Sequence, residues 1–368
     1  MSTDAPARIP SGPDEITPEW LTQALRSTGV ATESQVTSVT SDMMAAGQGF
    51  AGQLARLEPT YASREEGAPT SIVAKFPSAH PPTRELLNRV GAYQREVRFY
   101  EEIAAQVELR TPVCYYSALD PRAGDFILLL EDLSSLRAGD QVSGCTEEEA
   151  DLAVRNVAKV HVAWWESSRL DTHPWLSLSD ADIDAAQQMY AQSYGPFLEA
   201  LETDLPDEFV EVVRRLEPHV AEIKRELSRP PVTLLHGDFR LDNLLFGRHD
   251  SDPSLAVVDW QACRRGRGVG DIAYFMAMSV DGSKRAEIEM DLLHAYHEVL
   301  VEGGVRDYSF DRCLHDYRLA ILDRVSFIVM VAATLDFASK RGAALVGAVM
   351  PRFVSAVLDH QVADLVPA

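Results

Sequence analysis

The stretch "PVTLLHGDFRLDNLLF", residues 231–246, constrains this chain most. A short apolar run stops at His236, Gly237 and Asp238, and the chain turns apolar again only after Asn243. A second brief run, "SLAVVDW", stops in the same way at Asp259. Two buried strands that each end on a carboxylate present those carboxylates in loops, where chemistry is commonly carried. Asp238 can accept a proton from a hydroxyl. Asn243, five residues on, can fold back and offer a carbonyl oxygen to a hard cation, and Asp259 can supply a second oxygen. Base, metal ligand and metal ligand are the parts of phosphoryl transfer. The tripeptide alone reads equally well as a strand-ending turn; the second strand, with its Asp at the same end, favours chemistry. Asp271, in "GVGDIAYFM", reads as a helix cap with a structural role.

The surrounding pattern divides the chain. Residues 1–15 are rich in Pro, Ser and Asp and read as a loose tail. "ITPEWLTQAL" predicts a helix with Thr17 as N-cap and Pro18 at its first position. Between 35 and 77, three segments rich in Val, Thr and Ile and broken by Gly and Pro predict antiparallel strands. Residues 83–107 carry the period of one long helix, and "TPVCYYSAL" and "DFILLLEDL" predict two further strands. Beyond about residue 134 the chain is mostly helical, with helices expected near 181–202, 207–228, 284–302, 310–338 and 345–361. The expected architecture is α+β. A sheet-rich N-terminal lobe with one long helix covers residues 1–132, and a larger helical lobe covers 133–368.

A phosphotransferase also needs a cation for its nucleotide. "SIVAKFP" places Lys75 inside a strand, where a charge among apolar neighbours calls for a reason, unless it is an edge-strand lysine with its head in solvent. Glu96, 21 residues later in the predicted long helix and flanked by Tyr93 and Val97, is the preferred carboxylate partner, with Glu101 and Glu102 as rivals. Between the first two strands lies "AAGQGFAGQL", which sets Gly47, Gly49 and Gly52 in a GxGxxG arrangement. A strand rather than a helix follows, so the arrangement is strand, glycine loop, strand, with backbone amides able to cover phosphates. A plain flexible hairpin is the alternative.

The net charge of −22 speaks against nucleic-acid partners and anionic membranes. Cys114, Cys145, Cys263 and Cys313 are scattered without a CxxC pair, as expected of reduced thiols in the cytoplasm. The N-terminus has no apolar signal-like run, and "FIVMVAATL" is too short to span a bilayer. Arg240, Arg264, Arg265 and Arg267 stand close to the two aspartate loops; pairing with neighbouring carboxylates is favoured over a role toward an anionic substrate.

"LLHGDFRLDNLLF" followed by "AVVDWQACRRGRGVGDIAYF" resembles the aminoglycoside phosphotransferase and choline kinase superfamily. The "DWQ" continuation, "LLLEDL" and "NVAKVHVAWWE" look closest to its ecdysteroid-kinase-like, or CHK kinase-like, branch. The resemblance covers roughly residues 35–280 and implies a bilobal protein-kinase-like fold. It implies transfer of the γ-phosphate of ATP, with Mg2+, to a hydroxyl of a small molecule. Asp238 then matches the catalytic aspartate, Asn243 and Asp259 the magnesium ligands, Lys75 the phosphate lysine and Glu96 its helix partner. The stretch ending at Glu131 matches the hinge whose backbone meets the adenine. His236 matches the motif histidine and shapes the loop. The Asp-Trp-Gln triplet and the 12 positions between Asp259 and Asp271 leave no room for a long activation loop, which favours a small-molecule kinase over a protein kinase. A nucleotide-binding regulator without turnover is the alternative from another class. The acceptor, the choice of ATP or GTP and the oligomeric state are left open by the sequence.

Overall fold

A computed structural model describes residues 6, 8–44, 52–201, 204–249, 254–332 and 340–367. The chain divides into two compact units, Met1–Arg137 with Ala256–Ala262, and Ala138–Leu255 with Cys263–Ala368.

In the first unit, β1 (Val36–Met43), β2 (Gly52–Tyr61), β3 (Ile72–Pro77), β4 (Cys114–Asp120) and β5 (Asp125–Glu131) form one antiparallel sheet in the order β1-β2-β3-β5-β4. Alternation along β3 buries Ile72, Ala74 and Phe76 in a core with Ala55, Leu57, Ile127 and Leu129. Helix α1 (Pro18–Ser27) closes that core with Leu21, Ala24 and Leu25, and Thr17 caps it by accepting the Trp20 amide at 3.2 Å. Lys75 pairs with Leu54 on one side and Leu128 on the other, so it sits in a central strand and not at an edge.

The single helix expected over 83–107 is broken. Helix α2 (Pro81–Arg89) ends before Gly91, which adopts the left-handed region at φ 71°, and α3 (Ala92–Arg98) starts afresh. A π turn over Phe99–Ile103 then keeps Phe99, Tyr100 and Ile103 all buried. Against Phe99 lies the Trp260 ring, 4.0 Å away and 5° from parallel, which explains why Ala256–Ala262 belongs to this unit. The Val257 amide also donates to the Arg110 carbonyl at 2.9 Å.

The second unit is helical. Its helices are α4 (Glu147–Trp164), α5 (Asp180–Leu201), α6 (Asp207–Leu216), α7 (Val220–Leu227), α8 (Val269–Ser279), α9 (Gly282–Glu302), α10 (Phe310–Ala332) and α11 (Lys340–Asp359). The short strands that follow the sheet in the chain are β6 (Arg137–Ala138), β7 (Thr233–Leu235), β8 (Leu244–Phe246), β9 (Leu255–Val257) and β10 (Arg264–Gly266), with β7 and β10 antiparallel. Helix α8 is apolar nearly all round and correspondingly buried, with α9, α10 and α11 packed against it. Helix α11 is long and apolar enough over Arg341–Asp359 to cross a membrane by length and composition, a feature the sequence reading did not single out. About a third of that stretch is buried; within it Arg352 is buried and donates to the carbonyls of Gln141, Val142 and Met278.

Asp271 does not cap α8. It is the third residue of that helix, fully buried, and its carboxylate accepts the amides of His236 at 2.7 Å and Gly237 at 2.9 Å. His161 of α4 approaches the same carboxylate at 3.4 Å and is itself 3.1 Å from the Tyr296 hydroxyl. Gly268 leaves room for this cluster, since a Cβ there would lie 2.6 Å from the Tyr296 hydroxyl and 3.0 Å from His161 Nδ1. Burial works to raise the Asp271 carboxyl, but the His161 bond, the nearby histidine charges and the Gly237 amide outweigh it and hold the pKa below the usual range. A depressed folded-state pKa contributes stability above the unfolded value, and that contribution is lost as pH falls through the folded value. Asp271→Asn offers one acceptor and a misdirected donor to two buried amides, and at neutral pH it should cost about 3–5 kcal/mol. Urea unfolding across pH checks this: the gap between the two proteins should narrow as pH drops below about 4, and a gap that stays constant refutes it.

Candidate active site

In the first unit the central strand β3 turns Lys75 away from the apolar core, toward α3. Its ammonium lies 2.7 Å from both oxygens of Glu96, with hydrogen-bond geometry to Oε1, and 3.0 Å from Asp259 Oδ1. Lys75 and Glu96 are buried and Asp259 nearly so. Burial works against the Lys75 charge, yet the carboxylates of Asp259 and Glu96 prevail and push its pKa up. Burial, and then the Asp259 charge, push the Glu96 carboxyl up against the pull of Lys75. One ammonium therefore contacts two carboxylates. The carboxylate oxygens of Asp259 are hard donors of the kind a divalent cation takes. Asp259 has φ 65°, a left-handed backbone that non-glycine residues seldom adopt outside functional turns.

The other first-unit candidates are placed as follows. Gly52 opens β2, and a Cβ on it would meet the Phe76 carbonyl at 2.5 Å, so close strand approach requires glycine there. Gly47 and Gly49 lie outside the described residues. Glu131 ends β5; its carboxylate takes Arg110 at 3.1 Å and the Val113 amide at 3.3 Å, while its own amide donates to Val113 at 2.8 Å. Glu101 accepts Ser117 and Glu102 faces Arg98, so Glu96 is the helix carboxylate that meets Lys75.

In the second unit β7 delivers the chain to the turn held by Asp271, with Gly237 at φ 83°. The Asn243 carboxamide folds back, and its nitrogen donates to the Asp238 carbonyl at 2.8 Å and to Asp238 Oδ2 at 2.9 Å. That spends the donor and leaves the carbonyl oxygen as its remaining polar atom. Arg240 approaches Asp238 at 3.3 Å and binds Asp242 at 2.6 Å, and Arg341 adds a second contact to Asp242 at 3.2 Å. Buried Gln141 anchors the loop by accepting the Leu241 amide at 3.0 Å and donating to the Met278 carbonyl at 2.8 Å. Arg265 pairs with Asp171, and Arg267 with Asp316 and Glu226, in keeping with the favoured reading of that arginine cluster.

Sequence reasoning missed Gln141 and the true task of Asp271. It also passed over Arg324, whose guanidinium donates to the Gly237 carbonyl at 3.0 Å. A basic residue among the buried positions of α10 was the available signal.

A family model described as "Ecdysteroid kinase-like family" matches residues 46–307. No curated protein sequence matches the chain. Among solved structures, a protein of Ralstonia eutropha JMP134 assigned as an aminoglycoside phosphotransferase superposes with a TM-score of 0.55 at 16% identity, over 94% of this chain and 99% of the other. Amicoumacin kinase in complex with AMP-PNP, Ca2+ and Ami gives 0.51 at 13% identity, over 91% and 92% of the two chains. Choline kinase of Cryptosporidium parvum gives 0.52 at 10% identity, over 89% and 90%. At such identities these structures establish the shared protein-kinase-like fold, and the match of the family model over most of the chain establishes membership. The chain belongs to the ecdysteroid kinase-like family.

Proposed function

We propose that the chain is an ATP-dependent phosphotransferase acting on a hydroxyl of a small molecule, with Asp238 as base and Asn243 and Asp259 as Mg2+ ligands. The observation that carries the reading is the contact of the buried Lys75 ammonium with both Glu96 and Asp259. Glu96 holds the Lys75 ammonium extended, and Lys75 then offers its charge to nucleotide phosphates. Mg2+, when bound, neutralises charge that develops on the transferring group. Asp238 accepts the hydroxyl proton while the acceptor oxygen bonds to the γ-phosphorus and the bond from that phosphorus to the β–γ bridging oxygen breaks, releasing ADP. Asn243 fixes the Asp238 carboxylate for this step through its amide nitrogen. Gly47, Gly49 and Gly52 cover the phosphates, and the stretch ending at Glu131 meets the adenine through its backbone. The domain reading assigns nucleotide binding to residues 1–132 and acceptor binding to 133–368. The cytoplasm, rich in ATP and Mg2+, is the compartment this reading calls for; all four cysteines are free thiols.

ADP release from Mg·ATP against a mixed panel of hydroxyl acceptors tests the proposal. Asp238→Ala should lower acceptor-dependent turnover about 10²–10⁴-fold while leaving nucleotide affinity nearly unchanged. Retained turnover removes Asp238 as the base. Asp259→Ala should weaken binding of Mg·ATP itself, read by titration with Mg·AMP-PNP. An unchanged affinity means that the metal ligand is another residue.

A further inference from the structure

Arg324 of α10 is only 6% exposed. Among the described residues its guanidinium makes one hydrogen bond, to the Gly237 carbonyl, one residue from Asp238. It lies 4.2 Å from the centre of the Tyr274 ring and 5.5 Å from that of Phe327. Among the described residues no carboxylate comes within ion-pair distance of it. The neighbouring cations are different. Arg240 has Asp238 and Asp242, Arg341 has Asp242 and Asp140, and Lys224 has Asp323, the residue preceding Arg324. Asp323 feels the Arg324 charge but pairs directly with Lys224, so the close partners of this buried guanidinium are one carbonyl and two ring faces, which return less than burial of a charge costs. In a chain of net charge −22, an anionic partner from within the protein was easily available. Tyr274 ties this cation to the proposed base. Burial and then the Asp238 charge push its hydroxyl upward, while the charges of Arg240 and Arg324 oppose them.

We propose that Arg324 recognises an oxyanion on the acceptor, so that the substrate is a hydroxyl compound bearing a carboxylate or a phosphate near the hydroxyl that Asp238 addresses. The proposal rests on the phosphotransferase reading for the role of Asp238, and it deepens that reading by naming the acceptor class. A guanidinium presents paired N–H donors to two oxygens of one anion, which an ammonium cannot do. A cationic acceptor such as choline or an aminoglycoside would meet repulsion at this position.

Isothermal titration of the whole chain separates the outcomes. The probes are pantothenate with its neutral alcohol pantothenol, glycerol phosphate with glycerol, and choline. At least one oxyanion should bind about ten-fold or more tightly than its neutral counterpart, and R324Q should remove that preference. Pantothenate and glycerol phosphate distinguish a carboxylate from a phosphate. R324K keeps the charge without the fork and should recover part of the preference. It also serves if loss of the Gly237 contact destabilises R324Q, as thermal unfolding would reveal. The proposal is overturned if oxyanions bind no better than their neutral counterparts, if choline binds best, or if folded R324Q binds every probe as the parent does. ADP release run in parallel tests the underlying reading separately: Arg324-dependent binding without turnover on any bound probe would leave this site standing and count against the phosphotransferase.

Discussion

The carboxylate of Asp271 takes two consecutive backbone amides, those of His236 and Gly237, inside a core that offers them no water. Buried amides without acceptors are costly, so the turn after β7 has its present shape only while this carboxylate is in place. Everything the loop presents follows from that turn. Asp238 is the next residue, Asn243 folds back onto it, and Arg324 binds the carbonyl between the held amides and Asp238. The carboxylate stands on α8, the most deeply buried helix, so the loop inherits the rigidity of the core and not of the surface.

The first unit solves a different electrostatic problem. A lysine in the middle of a sheet is tolerable only if its charge is met, and Glu96 alone would meet it. The additional contact with Asp259 brings a second carboxylate, from a distant loop, to the same ammonium. Asp259 itself takes a left-handed backbone, and the next residue, Trp260, stacks on Phe99.

Much of this was legible in the residues because it rests on short-range pattern. Segments rich in Val, Thr and Ile and broken by Gly and Pro marked three strands and two further short segments the others, a 3.6-residue period marked most of the helices, and the two strand-ending aspartates marked the loops. The choice of Glu96 over Glu101 and Glu102 also agreed with the geometry, because its apolar neighbours Tyr93 and Val97 put it on the buried face. What escaped depended on distant parts of the chain. The helix over 83–107 kept its apolar period through Gly91, but that glycine adopts a left-handed turn which periodicity does not register. Asp271 sits where a cap would sit, and only the return of β7 past the start of α8 gives it two amides to accept. Gln141 and Arg352 are polar residues whose partners are backbone carbonyls and amides far away in sequence, and side-chain spacing carries no trace of those.

The excursion of Ala256–Ala262 into the first unit bears on the order of synthesis. A ribosome that has made the five-stranded sheet has not yet made Trp260, so Phe99 emerges with its stacking surface bare. Lys75 and Glu96 likewise wait for Asp259 while most of the helical unit is being translated. The N-terminal unit is therefore not a module that can finish folding and wait for the rest. Its last piece arrives inside the sequence of the other unit, so the maturation of the two is interleaved rather than sequential. A gene fragment cut at the end of the sheet would encode a core with an indole-sized gap and a lysine short of one of its anions.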